Sequence, residues 1–598
     1  MPRYKAPVND TMFVIREVLG AERYAQLSGF AGADLETIEA VLTEGARFCE
    51  EQVQPLNLSG DSQGCTRHAD DSVTTPDGFK QAYAALVEGG WTTLSGPPEY
   101  GGQGLPHFVA MAFEEYLASA NHSFSMYPLL SAGAATAIIS VGTDEQRALY
   151  ASRLISGEWT GTMNLTEPHC GTDLGLIRTR AEPRADGSYS ITGTKIFISG
   201  GEHDLTSNII HMVLAKTPGA PDNVKGISLF IVPKVLVGKD GALGERNAVS
   251  CGSIEHKMGI HANATCVMNY DGATGYLVGG ENKGLAAMFI MMNAARMGVG
   301  VEGLSQAEVA YQNAADYARD RRQGRALTGP ADPSAMADPI IVHPDVRRML
   351  MEAKAFTEGA RALCVWGGLL VDLSRHAETE AERTQADDLV QLLTPIIKGY
   401  VTDKGFETAV NAQQVFGGHG YIVEHGMDQF VRDARIPMIY EGTNGIQAMD
   451  LVGRKLAMNE GRAIRAFFAL AGEEIVKAKE VPALSAYVAR FEKAHGELQQ
   501  ATLWLMQNGA TNLNNAAAAA YAYMHLAGIV ALGLMWLRAA SAAQAALDVG
   551  RGDKAFLEAK LVTARFFAER FMPDAGALRR KLEGGAEALM ALPPEAFG

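Results

Sequence analysis

The stretch PMIYEGTNGIQAMD, Pro437 to Asp450, sets one carboxylate, Glu441, between a tyrosine and a glycine just ahead of an apolar helical pattern. An acid in that setting has two uses. It can favour the positive end of a helix dipole, which spacing alone makes the default, or it can be a general base aimed at a substrate.

Other stretches are candidates for holding a ligand. In MNLTEPHCGTDLGLIRTRAEP, Met163 to Pro183, the residues Thr166, Gly171, Thr172 and Gly175 form a turn of small residues and hydroxyls. Backbone N–H groups there can approach an anion or an aromatic ring; a capped β-turn is the plainer reading. In ITGTKIFISGGEHD, Ile191 to Asp204, strand alternation puts Phe197 and Ser199 on one face, where a ring and a hydroxyl can meet one planar ligand. Core packing of Phe197 is the alternative. DYARDRRQGRAL gathers Arg319, Arg321, Arg322 and Arg325 at the end of a helical pattern, either as solvated cations suited to a helix C-terminus or as a pyrophosphate clamp. Gly417, Gly418 and Gly420 let backbone sit close to a ligand.

These residues must be positioned by a chain of 598 residues, long enough for three or four domains. With 47% apolar and 20% charged residues the composition is globular. A net charge of -16 argues against a broad nucleic-acid surface. Six cysteines with no CxxC pair read as free thiols in a reducing compartment, and no HExxH or Cys/His metal spacing is present. No signal peptide is evident, so a cytoplasmic location is expected. The uncharged run Ala516 to Leu537 is long enough to span a bilayer, but its alanines, His525 and lack of flanking basic residues favour a buried bundle helix, and no membrane span is expected.

Periodicity predicts an α+β chain with segregated elements. Residues 1–161 read as helical and 162–282 as an antiparallel β domain with a hairpin at Asp186-Gly187. Residues 283–453 read as a helical bundle carrying Glu441, with one long helix after Lys283 and others over Pro344 to His376 and Thr379 to Phe416; 454–598 is an appended helical domain.

Taken in order, TEPHCGTD, KIFISGG, RRQG and QVFGGHGY followed by RDARIPMIYEGTNGIQ resemble the four motifs of the acyl-CoA dehydrogenase family, over roughly residues 35 to 455. The resemblance implies an N-terminal helical domain, a central β domain and a C-terminal four-helix bundle. FAD would be held between them and across the interface of a homodimer, and the tail from Arg454 resembles the extra helical domain of longer members.

By the same resemblance, Thr166, Gly171 and Thr172 serve the flavin and phosphate region, Phe197 lies beside the isoalloxazine and Ser199 near N5. Arg321 meets the pyrophosphate of a neighbouring subunit's FAD, Gln414 and Gly418 line the adenosine half, and Thr443 adds a phosphate contact. Glu441 takes the Cα proton of an acyl-CoA thioester while the Cβ hydride passes to flavin N5, with electron-transfer flavoprotein as acceptor. The chain departs from the family pattern at Phe197, where tryptophan is usual, at Gln323-Gly324, which lacks an aromatic, and at Gly445, where glutamine is common.

MNLTEPHCGTDLGLIRT, CGSIEHKMGIHANATCVMNYD and the opening MPRYKAPVNDTMF look like the branch that converts 3-methylmercaptopropionyl-CoA to methylthioacryloyl-CoA. Alternatives are a short- or medium-chain fatty acyl-CoA dehydrogenase, an acyl-CoA oxidase, and a non-catalytic DNA-associated flavoprotein of the same fold. Net charge and the intact Glu441 count against the last.

Overall fold

A computed structural model describes residues 2–598. The backbone divides into a β-containing unit, Arg47–Leu105 with Tyr116–Gly298, and a helical unit, residues up to Ala46 with Pro106–Glu115 and Val299–Gly598.

In the β unit, strands run in the order Val249–Ile254, Thr265–Val278, Tyr189–Ser199, Arg180–Pro183, Ile209–Lys216 and Thr160–Asn164, and Ile227–Pro233 pairs with both Thr265–Val278 and Ile209–Lys216. Alternate side chains of the two inner strands feed separate cores. Ile210, Met212, Leu214, Leu229 and Ile231 enter one, while Val213, Ala215, Phe230 and Val232 enter the other. A strand buried on both faces has no polar side, so Ile209–Lys216 and Ile227–Pro233 read as continuous apolar runs.

Most pairings are antiparallel, as expected. The exceptions are Thr160–Asn164 and the Arg180 bridge, which run parallel to Ile209–Lys216. Parallel neighbours need a long crossover, and more than one strand of intervening chain supplies it. The expected hairpin forms: Gly187 takes φ +85, and the Asp186 carboxylate accepts from the Ser188 N–H at 3.0 Å.

The long helix after Lys283 is one element, Gly284–Asp320. A Cβ on its Gly303 would lie 2.7 Å from the Thr402 Cα, so glycine there lets two helices touch backbone to backbone. Pro344–His376 forms over the expected span, with proline in its first turn where no N–H is needed. The helix expected from Thr379 to Phe416 forms over that span without leaving helical backbone, but its middle is a π turn. Thr379 and Glu382 cap its start reciprocally, but Pro395 withdraws an N–H from the ladder, and the chain passes through a π turn at Ile397–Val401 before resuming as Thr402–Val415.

The appended residues fold as helices, principally Arg462–Lys479, Ser485–Asn508, Leu513–Asp548, Lys554–Arg570 and Asp574–Glu583. Three helices, His122–Val141, Gly284–Asp320 and Leu513–Asp548, are long and apolar enough to cross a membrane by length and composition; the apolar window of Leu513–Asp548 is 83% buried inside the protein. Of the three, the sequence pattern marks only the last as a candidate span.

A buried ion cluster ties the helical unit together. Arg361, 1% exposed, pairs with Asp10, Glu115 at 2.7 Å and Glu308 at 3.0 Å. Lys560 of the appended domain pairs with Asp10 and with Glu358 at 2.7 Å.

Candidate active site

The two units supply two sets of groups. In the β unit, the turn after Thr160–Asn164 brings Thr166 and Gly171 side by side, a Cβ on Gly171 falling 3.4 Å from the Thr166 methyl. The Thr166 carbonyl accepts from the Ile196 N–H at 2.9 Å, which sets this turn against the strand of Phe197 and Ser199. Thr172 is exposed and Ser199 half-buried.

Alternation along this strand is not regular. The pairing with Thr265–Val278 shifts between Cys266 and Met268, and Phe197 adopts φ +60, a left-handed conformation rare for a bulky residue. The result is an aromatic ring 59% exposed, while Lys195 and Ile198 face inward. Core packing of Phe197 is thereby excluded.

The sequence reading missed what clamps this turn. Lys195 and Glu167, 0% and 3% exposed in their side chains, pair at 2.9 Å. Glu167 also accepts from the Arg178 and Thr179 N–H groups and from the Thr179 hydroxyl, and Lys195 donates to the Leu165 carbonyl at 3.0 Å. Burial pushes the Glu167 carboxyl up, but Lys195 and these donors outweigh it and hold it below its ordinary value. Glu167, His169 and Cys170 lie close enough together to share a metal ion, yet both Glu167 oxygens are already committed to the clamp.

In the helical unit, Glu441 lies outside the following helix. That helix is Asn444–Asp450, capped by Thr443, whose hydroxyl accepts from the Ile446 N–H at 3.4 Å. Glu441 is half-buried at φ +55 and Gly442 follows at φ +84. Dipole decoration within a first helical turn therefore does not describe Glu441. Its backbone is in a region that costs roughly 1–3 kcal/mol for a non-glycine residue and persists only when the surroundings over-determine it.

The surroundings are dense. Lys398, fully buried in the π turn, donates to the Gly442 carbonyl at 2.7 Å and to Asn444 Oδ1 at 2.8 Å. Gln447 Nε2 donates to the Glu441 carbonyl at 3.1 Å. Asn444 Nδ2 reaches the Gly399 carbonyl, Thr402 Oγ1 and Asp403 Oδ1 at 3.0, 2.9 and 2.7 Å. A π turn exposes backbone and side chains that an α-helix would align elsewhere, and here it serves the turn of Glu441.

Beside this turn are two more carboxyl groups. Tyr440 donates its hydroxyl to Glu302, and Glu302 acts on buried Glu114. Burial pushes the Glu114 carboxyl up from 4.5 to about 8, with the Glu302 charge adding to the rise. A carboxyl protonated in the folded state stabilises the protein fully below its unfolded pKa, and that stability is lost as pH rises through the folded pKa. Glu114→Gln should therefore flatten the loss of thermal stability between about pH 4.5 and 8, an effect of up to about 5 kcal/mol at 1.36 kcal/mol per unit. Thermal melts across that range, run on parent and variant, measure it; parallel pH profiles would contradict the assignment.

The remaining candidates gather at the far end of Gly284–Asp320. Of the four arginines, Arg319 pairs with Asp316, Arg322 with Asp332 and Arg325 with Asp338. Arg321 is exposed and makes no ion pair among the described residues. Tyr317, one turn before it, stacks on Phe416 with ring centroids 4.1 Å apart and shares a hydrogen bond with His419 Nδ1 at 2.9 Å. This draws the loop of exposed Gln414 and Gly418 to the same end. Glu302, and so the Tyr440 contact, lies 18 residues before Asp320, roughly 27 Å along the helix at 1.5 Å per residue. Glu441 and Thr443 are thus not brought together with Arg321, Gln414 and Gly418 within the chain.

An exposed, backbone-strained aromatic ring beside hydroxyls and glycines, and an unpaired arginine beside an open glycine loop, fit the planar ring and the phosphates of FAD respectively.

Four family profiles match in sequence: "Acyl-CoA dehydrogenase, N-terminal domain" over residues 36–158, "Acyl-CoA dehydrogenase, middle domain" over 162–273, "Acyl-CoA dehydrogenase, C-terminal domain" over 282–456, and "Acetyl-CoA dehydrogenase C-terminal like" over 462–593. A 3-methylmercaptopropionyl-CoA dehydrogenase of Ruegeria pomeroyi is 44% identical over 98% of this chain and 99% of its own. A broad-specificity linear acyl-CoA dehydrogenase of Mycobacterium tuberculosis is 34% identical over 100% of both chains. Among solved structures, an acyl-CoA dehydrogenase complexed with FAD from Bacillus anthracis superimposes with a TM-score of 0.73 at 21% identity, covering 91% of this chain and 88% of its own, a likeness of fold.

Proposed function

The chain belongs to the acyl-CoA dehydrogenase family, enzymes that oxidise CH–CH bonds, and from that premise we propose that it uses FAD to convert 3-methylmercaptopropionyl-CoA to methylthioacryloyl-CoA, with Glu441 as the base. The observation that carries the base assignment is the left-handed Glu441 backbone, fixed through hydrogen bonds from Lys398 and Gln447 to the turn's carbonyls. Strain held by buried donors is characteristic of a group kept in place for chemistry.

The Cα proton of a thioester is too weakly acidic for a free carboxylate, so the carbonyl must be polarised while the proton leaves. The Glu441 backbone N–H is the donor the chain offers for that oxygen, and the Glu441 carboxylate takes the proton. FAD, when bound, supplies the acceptor for the Cβ hydride. Thr166, Gly171, Thr172, Phe197 and Ser199 would hold its flavin and phosphate side. Arg321, Gln414 and Gly418, with a Thr443 contact, would hold the phosphates and adenosine. The span separating Arg321 from the Tyr440 contact suits a cofactor contributed by a second subunit, hence a homodimer. Electron-transfer flavoprotein is the proposed electron acceptor.

For the acyl group, the reading is supported by the higher identity to the Ruegeria pomeroyi relative than to the broad-specificity one. A thioether in place of a methylene is soft and nearly apolar, so discrimination against butyryl- or valeryl-CoA should amount to about 1–3 kcal/mol. Turnover measured across 3-methylmercaptopropionyl-CoA and straight-chain C4 to C8 acyl-CoAs tests this. Overlapping activities led by the sulfur substrate are expected; if that substrate is the poorest of the panel, the enzyme is a fatty acyl-CoA dehydrogenase.

A further inference from the structure

His525 and Tyr521 interrupt the otherwise apolar face of the appended helix Leu513–Asp548. They stand four residues apart, hence on one side, and both point at the same atom. The Tyr521 hydroxyl donates to Asp403 Oδ2 at 2.5 Å and His525 Nε2 donates to it at 2.8 Å. The other Asp403 oxygen accepts from Asn444 Nδ2 at 2.7 Å. Asn444 Oδ1 accepts from Lys398, which also donates to the carbonyl of Gly442, the residue after Glu441. An unbroken series of hydrogen bonds, part-buried at Tyr521 and His525 and buried around Asn444, thus runs from the appended helix to the turn of the base.

Packing makes the series stiff. A Cβ on Gly399 would fall 2.2 Å from Met524 Sδ, and one on Gly528 would fall 2.2 Å from the Tyr400 ring. Glycine on both sides lets the appended helix lie directly on the π turn. The His525 ring also meets Tyr400 edge-on at 5.4 Å and Tyr521 at 4.6 Å between centroids. Although burial pushes the Asp403 carboxyl up, the donors from His525, Tyr521 and Asn444 outweigh it, so it stays the acceptor at the centre of the series.

We infer that the appended domain positions the catalytic base: Tyr521 and His525, acting through Asp403, Asn444 and Lys398, hold the left-handed turn that presents Glu441. This rests on Glu441 being the base. Tyr521 and His525 are positioning residues and touch no reacting group.

The test uses the full-length flavoprotein. His525→Ala should bind FAD as the parent does and keep KM within about twofold, while the rate of anaerobic flavin bleaching falls about 10- to 100-fold, the scale of a misplacement near 1 Å. His525→Gln, whose amide can still donate to Asp403, should recover most of that rate, and Tyr521→Phe should show a smaller loss of the same kind. In a Glu441→Asp background, where the carboxylate is already displaced, His525→Ala should cost less than about twofold. Hydrogen exchange should quicken in residues 440–447 and not in Pro344–His376. A parental rate in His525→Ala, equal losses in both backgrounds, no recovery in His525→Gln, or exchange that rises throughout the helical unit would each overturn the inference. If Glu441→Gln itself bleaches at the parental rate, it is the base assignment that fails, a result separable because no residue of the appended helix has been changed.

Discussion

Glu441→Gln should leave a yellow protein with its full complement of FAD whose flavin is bleached by substrate about 100- to 10,000-fold more slowly than the parent's, the range expected when a general base is removed. Glutamine keeps the size of the side chain and leaves the backbone N–H in place. The contacts that hold the turn, from Lys398 to Gly442 and from Gln447 to the Glu441 carbonyl, involve backbone oxygens and do not change with the side chain. Binding should therefore survive while proton removal fails. Rapid mixing under anaerobic conditions, with the dissociation constant for acyl-CoA determined in parallel, separates the two.

Arg361→Ala should carry the largest penalty in stability. Arg361 lies between Asp10, Glu115 and Glu308 and bonds to Glu115 through both Nε and Nη2. Removing it leaves buried carboxylates short of their cation, a change that costs about 3 to 5 kcal/mol where one partner of a buried pair is lost. Glu115 loses most, because burial already pushes its carboxyl up and Arg361 is the cation that offsets it, whereas Asp10 keeps Lys560. A marked fall in the unfolding midpoint is expected, with a smaller fall for Arg361→Lys, which keeps the charge but not the forked geometry. Unchanged midpoints in both variants would show that the cluster is not structural.

Much of this protein was legible from local pattern. Pro344–His376 was predicted over its full span because proline marks its start and apolar residues recur along it. The Asp186-Gly187 turn followed from dipeptide chemistry alone. Glu441 was legible only because four motifs occur in one order; its own spacing argued for a helix-start ornament. What stayed hidden depends on partners distant in sequence. Lys398 and Gly442 are 44 residues apart, and His525 and Asp403 are 122 apart. No periodicity announces such pairs. The π turn was also missed, since Pro395 signals a break without stating its form. The bulge at Phe197 has no sequence mark, because glycine is the usual residue at its dihedral angles. His525 stands out in the sequence as a polar residue in an apolar run, but the group that explains it, Asp403, is remote in the chain.

Removal of two hydrogens from an acyl-CoA through Glu441 and FAD can be followed in one anaerobic titration. Purified protein, yellow as isolated, is mixed with 3-methylmercaptopropionyl-CoA without oxygen, and the flavin band and the thioester products are followed together. Bleaching is expected, with one α,β-unsaturated thioester formed per flavin reduced, and neither change in Glu441→Gln on the same timescale. A flavin that stays oxidised with this substrate and with every C4 to C8 acyl-CoA, or bleaching at the parental rate in Glu441→Gln, would contradict it.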